Sequence, residues 1–428
     1  MSKIAQLKAR EILDSRGFPT VEVDVVLENG CMGRASVPSG KSTGRNEAYE
    51  LRDEDEGRYR GKGVLKVVEH VQQDILHSIR GMSALDQAAI DDALIQLDGT
   101  DNKQRLGANA ILGVSLATAR AAAKYKNVHL VVHLAEFAGH HLDDLTLPIP
   151  MMNVINGGKH ADSGISVQEF KLVPHGATKI SQAIQMGAET YHALKDLLAR
   201  QGHRISVGDE GGFAPKLATN EAALQILCEA ILAAGYQPGQ DISIGLDFAA
   251  NDFYANGKYH LEGHDWSSDD MIEYCVQLIN KFPIVSIEDG LAEDDWDAWP
   301  RLTNALKKVR VQCLGDDIFV TNPRIFAQGI QQGIADAILI KPNQIGTLTE
   351  TVRTMKMAAD AGYKTVMSHR SGETTDTFIA DLAVATNARQ MKSGAPARGE
   401  RIEKYNQLIR LAEELPDLQL ATGLYRFS

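Results

Sequence analysis

Five short apolar runs in the second half of the chain each stop at a charged or ionisable residue. Residues 242–246 run into Asp247, 284–287 into Glu288, 311–315 into Asp316, 337–340 into Lys341, and 365–368 into His369-Arg370. Each run has the length and branched-residue content of a strand buried on both faces, and helix-like segments separate them. Alternation of this kind predicts an α/β fold with a parallel barrel, whose catalytic groups project from the C-terminal ends of the strands. Three carboxylates, a lysine and an arginine on one rim supply a metal site, a base and an anion clamp. That is the equipment of an enzyme.

A chain of 428 residues is too long for one small core and divides into an N-terminal α+β unit, 1–138, and a barrel, 139–428. The formal charge of −12 argues against a nucleic-acid surface and requires an anionic substrate to be held by local cations. Cys31, Cys228, Cys275 and Cys313 lie far apart without a C-x-x-C pair and read as free thiols. Neither a signal peptide nor an apolar run of membrane-spanning length is evident, so a soluble, cytoplasmic protein is expected.

In the N-terminal unit, residues 20–25 alternate apolar and polar, as a half-exposed antiparallel strand does. The stretch 37–44, with its small and turn residues, predicts a lid or an exposed connection. Helical patterns follow near 64–79, 85–97 and 109–124, the last rich in alanine. Residues 147–150 read as a linker into strand-like segments at 151–155 and 168–173, then a helix over 178–200.

Asp247, Glu288 and Asp316 would bring hard oxygen ligands to one point, a donor set that favours Mg²⁺ over zinc. A single acid at a strand end more often pairs with a neighbouring lysine; three in phase on one rim reverse that reading. Lys341 ends an apolar strand, where a lysine ordinarily reaches out to solvent. Beside a metal and other cations its pKa is expected to fall, which makes it a candidate base. Arg370-Ser371-Gly372 directly after His369 can hold a phosphate or carboxylate. Residues 208–212 place Asp209 and Glu210 between glycines, and a second glycine loop at 156–161 carries His160. Gln168-Glu169 opens a strand and can set an amide and an acid at the barrel mouth. No nucleotide-binding glycine pattern is present.

These motifs, Gly208-Asp209-Glu210-Gly211-Gly212, Ile287-Glu288-Asp289-Gly290, Gly315-Asp316-Asp317, Leu339-Ile340-Lys341 and Ser368-His369-Arg370-Ser371-Gly372, resemble those of the enolase family in order and almost end to end. The resemblance implies an irregular (β/α)8 TIM-like barrel, ββαα(βα)6, with an N-terminal α+β capping domain. It implies reversible dehydration of 2-phosphoglycerate to phosphoenolpyruvate with two Mg²⁺ ions, the second arriving with substrate. Carried over residue by residue, Asp247, Glu288 and Asp316 hold the first ion and Ser42 helps hold the second. Lys341 takes the alpha proton, and Glu210, assisted by Glu169, protonates the departing hydroxyl. Arg370 and Ser371 hold the phosphate and Lys392 the carboxylate, with His160, Gln168 and His369 completing the pocket. A sister enzyme acting on a sugar acid or muconate would share the metal triad without the Arg370-Ser371 pair.

The resemblance also implies a homodimer or a higher oligomer, with Glu22 facing Arg410 and Arg10 facing Glu189 across a two-fold interface. A secondary surface or secreted pool is known among similar proteins, but their plasminogen binding relies on C-terminal lysines, and this chain ends Tyr425-Arg426-Phe427-Ser428. Departures from the family pattern are Lys41 in place of alanine, Pro342 after the catalytic lysine, Lys159, Lys216 and Ser163-Gly164. Lys41 has two readings, outward into water or inward toward the substrate phosphate.

Overall fold

The computed structural model describes residues 1–41, 43–161 and 163–425. Ser42, the expected ligand of the second metal, and the three terminal residues lie outside them.

The chain opens with an antiparallel sheet of three strands, Ile4–Leu13, Pro19–Leu27 and Met32–Ser36. Val21, Val23 and Val25 of the middle strand are fully buried, as the alternation predicts for one face of such a sheet. That face covers the alanine-rich helix Ala108–Lys126. Small residues allow a close approach: a Cβ on Gly33 would stand 2.0 Å from the Ala117 carbonyl oxygen. On the other face Asp24 is gripped by Arg10 and by Arg34 Nε at 2.6 Å.

The helical pattern at 64–79 forms Leu65–His70 and Leu76–Ile79, joined by a π-turn over Val71–Ile75. The helix expected over 85–97 is Gln87–Asp98, started by the Asp86 side chain accepting from the Ala89 amide. A further helix, Leu130–Ala138, was not apparent in the sequence; its nine residues are too few for a clear period.

Eight strands then close a barrel in chain order: Ile149–Asn156, Glu169–Val173, Ser243–Asp247, Ile284–Glu288, Gln312–Gly315, Ala337–Ile340, Lys364–Ser368 and Gln390–Lys392. The second strand runs antiparallel to the first and third, and the remaining neighbours are parallel. Two helices, Ile180–Arg200 and Asn220–Ala233, follow the second strand before the third begins. This is the ββαα(βα)6 order. The expected linker at 147–150 is instead already structured: Leu147 pairs with Leu420, and Ile149 starts the barrel.

The reversed second strand decides where its residues appear. In a parallel barrel the rim is built from strand ends, whereas here Glu169, at the start of its strand, pairs with Asp247, at the end of the third. Both therefore reach the same rim. No helix among the described residues is long and apolar enough to cross a membrane.

Candidate active site

The chemistry gathers at that rim in a contracted cavity of about 20 Å³, lined among others by His160, Gln168, Glu169, Glu210, Asp247, Asp316, Lys341, His369, Arg370, Ser371 and Lys392. A roomier cleft of about 510 Å³ opens at the other end of the strands, near Tyr363, Arg389 and Leu424, but contains none of the carboxylate clusters. Of the sequence-predicted residues, Glu288 lies just beneath the small cavity, bonded to a residue that lines it.

Lys392, at the end of the eighth strand, places its ammonium among three acids: Glu288 Oε1 at 2.7 Å, Glu169 Oε2 at 2.8 Å and Asp247 Oδ2 at 3.1 Å. Burial opposes the charged ammonium, but the three carboxylates outweigh it and raise its pKa well above the ordinary value. Lys171 supports the group from below. It is fully buried, bonded to Glu288 and 3.6 Å from Glu169 Oε2. Burial pushes Asp247 up to about 6, and the Glu288 charge adds to it. Glu288 also feels burial, but Lys171 and Lys392 overcome it and hold the carboxyl below its usual range.

Oxygens of Glu169, Asp247 and Glu288 lie within 4.8 Å of one another, a hard donor set that fits a divalent cation. Asp316, the third expected ligand, is grouped instead with Asp289 and Asp317. Its Oδ2 lies 2.5 Å from Lys341 Nζ, and its Oδ1 accepts from Gln344 Nε2 at 3.1 Å. The expected fall in the Lys341 pKa is not what this arrangement produces. Burial lowers it, but the adjacent Asp316 charge wins and the pKa is raised.

Across the mouth, Glu210 Oε2 accepts from Asn153 Nδ2 at 3.1 Å and faces His369 Nε2 at 3.3 Å. His160 Nδ1 stands 3.7 Å from Glu169 and 3.8 Å from Glu210. Burial, reinforced by the charge of Glu210, raises Glu169 well above the carboxylate range and keeps a proton on it, whereas burial on Glu210 is overcome by His369 and His160, which hold it well below its ordinary value. Arg401 fixes the tautomer of His369. A guanidinium only donates, so His369 Nδ1, 2.6 Å from Arg401 Nη1, is the acceptor and Nε2 carries the proton. Burial, with Arg401, drives the His369 pKa down to about 3 and keeps it neutral.

Arg401 also ties together the backbone of two site loops, donating to the carbonyls of Arg370 at 2.6 Å and Ser371 at 2.7 Å in one and of Asp209 at 3.0 Å in the other. Sequence reasoning missed both Arg401 and Lys171. Arg401 sits in the amphipathic helix Gly399–Glu414, where no local pattern marks it. Lys171 was readable, since it lies two residues beyond Glu169 on a strand and so shares its face.

The chain order of the strands gives the layout. Glu169 opens the second strand and Lys341 follows the sixth, four positions apart in a ring of eight, so acid and lysine oppose each other across the mouth. Asp247, Glu288 and Asp316 occupy one arc between them. Arg370, Ser371 and Lys392 occupy the other.

A capped ββαα(βα)6 barrel with a carboxylate arc, a buried lysine and an opposing acid pair has the parts of a lyase-type enzyme and a donor set that fits a divalent cation. Residues 4–134 match the enolase N-terminal domain and residues 144–425 the enolase C-terminal TIM barrel domain. The chain belongs to the enolase family.

Proposed function

We propose that this protein interconverts 2-phosphoglycerate and phosphoenolpyruvate by loss and gain of water. The observation that carries the reading is the opposition of Lys341 to the Glu169–Glu210 pair, with anion-holding groups on one arc between them and carboxylates on the other. An anti elimination places its base and its acid on opposite faces of the substrate.

Asp247 and Glu288, with Asp316, would hold Mg²⁺, which when bound supplies positive charge to the substrate carboxylate as the adjacent carbon loses its proton. Once Asp316 is committed to a cation, Asp317 is the carboxylate still raising the Lys341 pKa, and burial, Arg370 and Lys392 oppose it. Those three lower the pKa toward that of a base. Lys341 Nζ then removes the alpha proton. On the opposite side, the proton held by Glu169 passes by way of Glu210 to the leaving hydroxyl. Arg370 and Ser371 receive the phosphate and Lys392 the carboxylate. His160, 3.4 Å from Ser371 Oγ, lies between the phosphate end and the acids.

The test follows formation of the enol product from 2-phosphoglycerate by its ultraviolet absorbance. Turnover should require Mg²⁺, stop on chelation and return when Mg²⁺ is restored, with Asp316→Ala folded but inactive. Full turnover in metal-free buffer, or none with Mg²⁺, overturns the assignment.

A further inference from the structure

Arg370 is held by the N-terminal unit. Glu47 Oε2 accepts from its Nη1 at 2.9 Å and Glu47 Oε1 from its Nη2 at 3.1 Å, a two-point fork. Asn343 Oδ1 takes Nη1 as well, at 3.0 Å, and the same side chain donates to the Pro38 carbonyl at 3.2 Å. Both Nη1 protons are thereby committed, which fixes the plane of the guanidinium.

The segment around 38–47 meets Arg370 at further points. A Cβ on Gly40 would stand 2.0 Å from Arg370 Nη2, so the backbone there lies directly against the guanidinium. Ser39 and Gly372 exchange two backbone hydrogen bonds of 2.8 Å, tying the segment to the loop that carries Arg370 and Ser371. Glu47 is itself steadied by the Gly44 amide at 3.1 Å and by Gln344 Nε2 at 3.2 Å, and Gln344 also donates to Asp316.

We propose that Glu47 is a positioning residue for Arg370, holding the guanidinium in the plane in which it captures an anion. Two effects oppose each other. A carboxylate beside the guanidinium weakens its pull on an incoming anion. Against this, a free arginine side chain surrenders rotamer entropy on being fixed, and Glu47 with Asn343 has already imposed that order. The second effect dominates here because the guanidinium is buried and its orientation over-determined. The inference rests on the proposed function only for the identity of the natural substrate; anion capture itself can be read with inorganic phosphate.

The experiment measures inorganic phosphate binding by calorimetry in the full-length protein with Mg²⁺. Glu47→Gln, which keeps the shape and loses the fork, should weaken phosphate binding at least about tenfold. With 2-phosphoglycerate its KM should rise by a similar factor while kcat changes less, and Glu47→Asp should recover part of the loss. Gly40→Ala leaves every charge in place but lifts the segment off Arg370, and should reproduce the weaker binding. Unchanged or tighter phosphate binding in either variant, or no phosphate binding by the wild type, overturns the proposal. Phosphate binding behaving as expected in a protein that fails to turn over 2-phosphoglycerate would sustain this inference and remove the proposed function.

Discussion

Lys41 Nζ lies 2.8 Å from Asp209 Oδ2, joining the loop that follows the N-terminal sheet to the residue immediately before Glu210. Lys41 is exposed and outside the cavity lining, as the outward reading has it, and it pairs there with an acid rather than with water alone. The pair bridges two loops of the mouth, and Lys159, another departure from the family pattern, forms a second bridge to Asp252 at 2.5 Å. Both lysines act on loop placement from outside the reacting centre.

The pair is partly exposed, at 39% for Lys41 and 32% for Asp209, so its worth is limited to about 1 kcal/mol and is screened by salt. Lys41→Ala should raise KM by up to about fivefold at low ionic strength, with the difference shrinking toward zero near 1 M salt. Asp209→Asn should do the same, and the double variant should be no worse than either single. Steady-state kinetics across a salt series decides it. A KM that is insensitive to both substitutions would leave the contact without a functional consequence.

Base and acid can be separated by isotope exchange. With Lys341 as base, Lys341→Ala should stop both exchange of the alpha hydrogen with solvent and product formation. Glu210→Gln should retain exchange while dehydration falls by at least about a hundredfold, the usual scale for loss of a general acid. Proton NMR in deuterated buffer reads the first process and absorbance the second. Exchange lost in the glutamine variant and kept in the alanine variant would exchange the two roles.

The five strands that end at Asp247, Glu288, Asp316, Lys341 and His369 were legible because burial on both faces demands uninterrupted apolar runs, which makes a terminal charge conspicuous. The eighth strand was not. Gln390–Lys392 has three residues, two of them polar, so Lys392 entered only through family resemblance. The antiparallel second strand was equally hidden, since strand direction depends on pairing rather than on local pattern. The Glu47–Arg370 fork spans 323 residues of sequence, and nothing local to either residue announces the other. The sign of the Lys341 pKa shift is hidden for the same reason: it depends on whether Asp316 is paired with the lysine or with a cation.

A two-fold dimer is expected from the family resemblance, with Arg410 facing Glu22 of the second copy. Within one chain Arg410 makes long bonds to Glu403 Oε2 at 3.3 Å and to Gln407 Oε1 at 3.4 Å, and is about half exposed. Arg410→Glu should therefore leave the fold intact. In a closed interface the altered contact occurs twice, so at about 0.5–1 kcal/mol per pair the dimer should weaken about five- to thirtyfold. Sedimentation over a concentration series measures this. A wild-type protein that stays monomeric at micromolar concentration removes the expectation.

Asp91 couples the two halves of the molecule. It sits on the helix Gln87–Asp98, fully buried, and its Oδ2 accepts from the Thr349 amide at 2.9 Å and from Thr349 Oγ1 at 2.6 Å on a helix of the barrel. Gln87 Nε2 donates to Oδ1 at 3.0 Å. Burial nevertheless pushes its pKa up to about 6, against an ordinary value of 3.8. The folded state therefore holds this proton more tightly than the unfolded chain does. The resulting stability is fully present below about pH 4 and is lost as pH rises through about 6, a swing of about 3 kcal/mol. Asp91→Asn cannot titrate, and any fixed penalty from its altered hydrogen bonding is independent of pH. Urea unfolding of both proteins at about pH 4 and pH 7 should show the asparagine variant gaining about 2.4 kcal/mol relative to wild type at the higher pH, since the unfolded carboxyl is already partly ionised at pH 4. A difference that stays constant between the two conditions would mean that Asp91 ionises near its ordinary value and that its hydrogen bonds, rather than burial, set its charge.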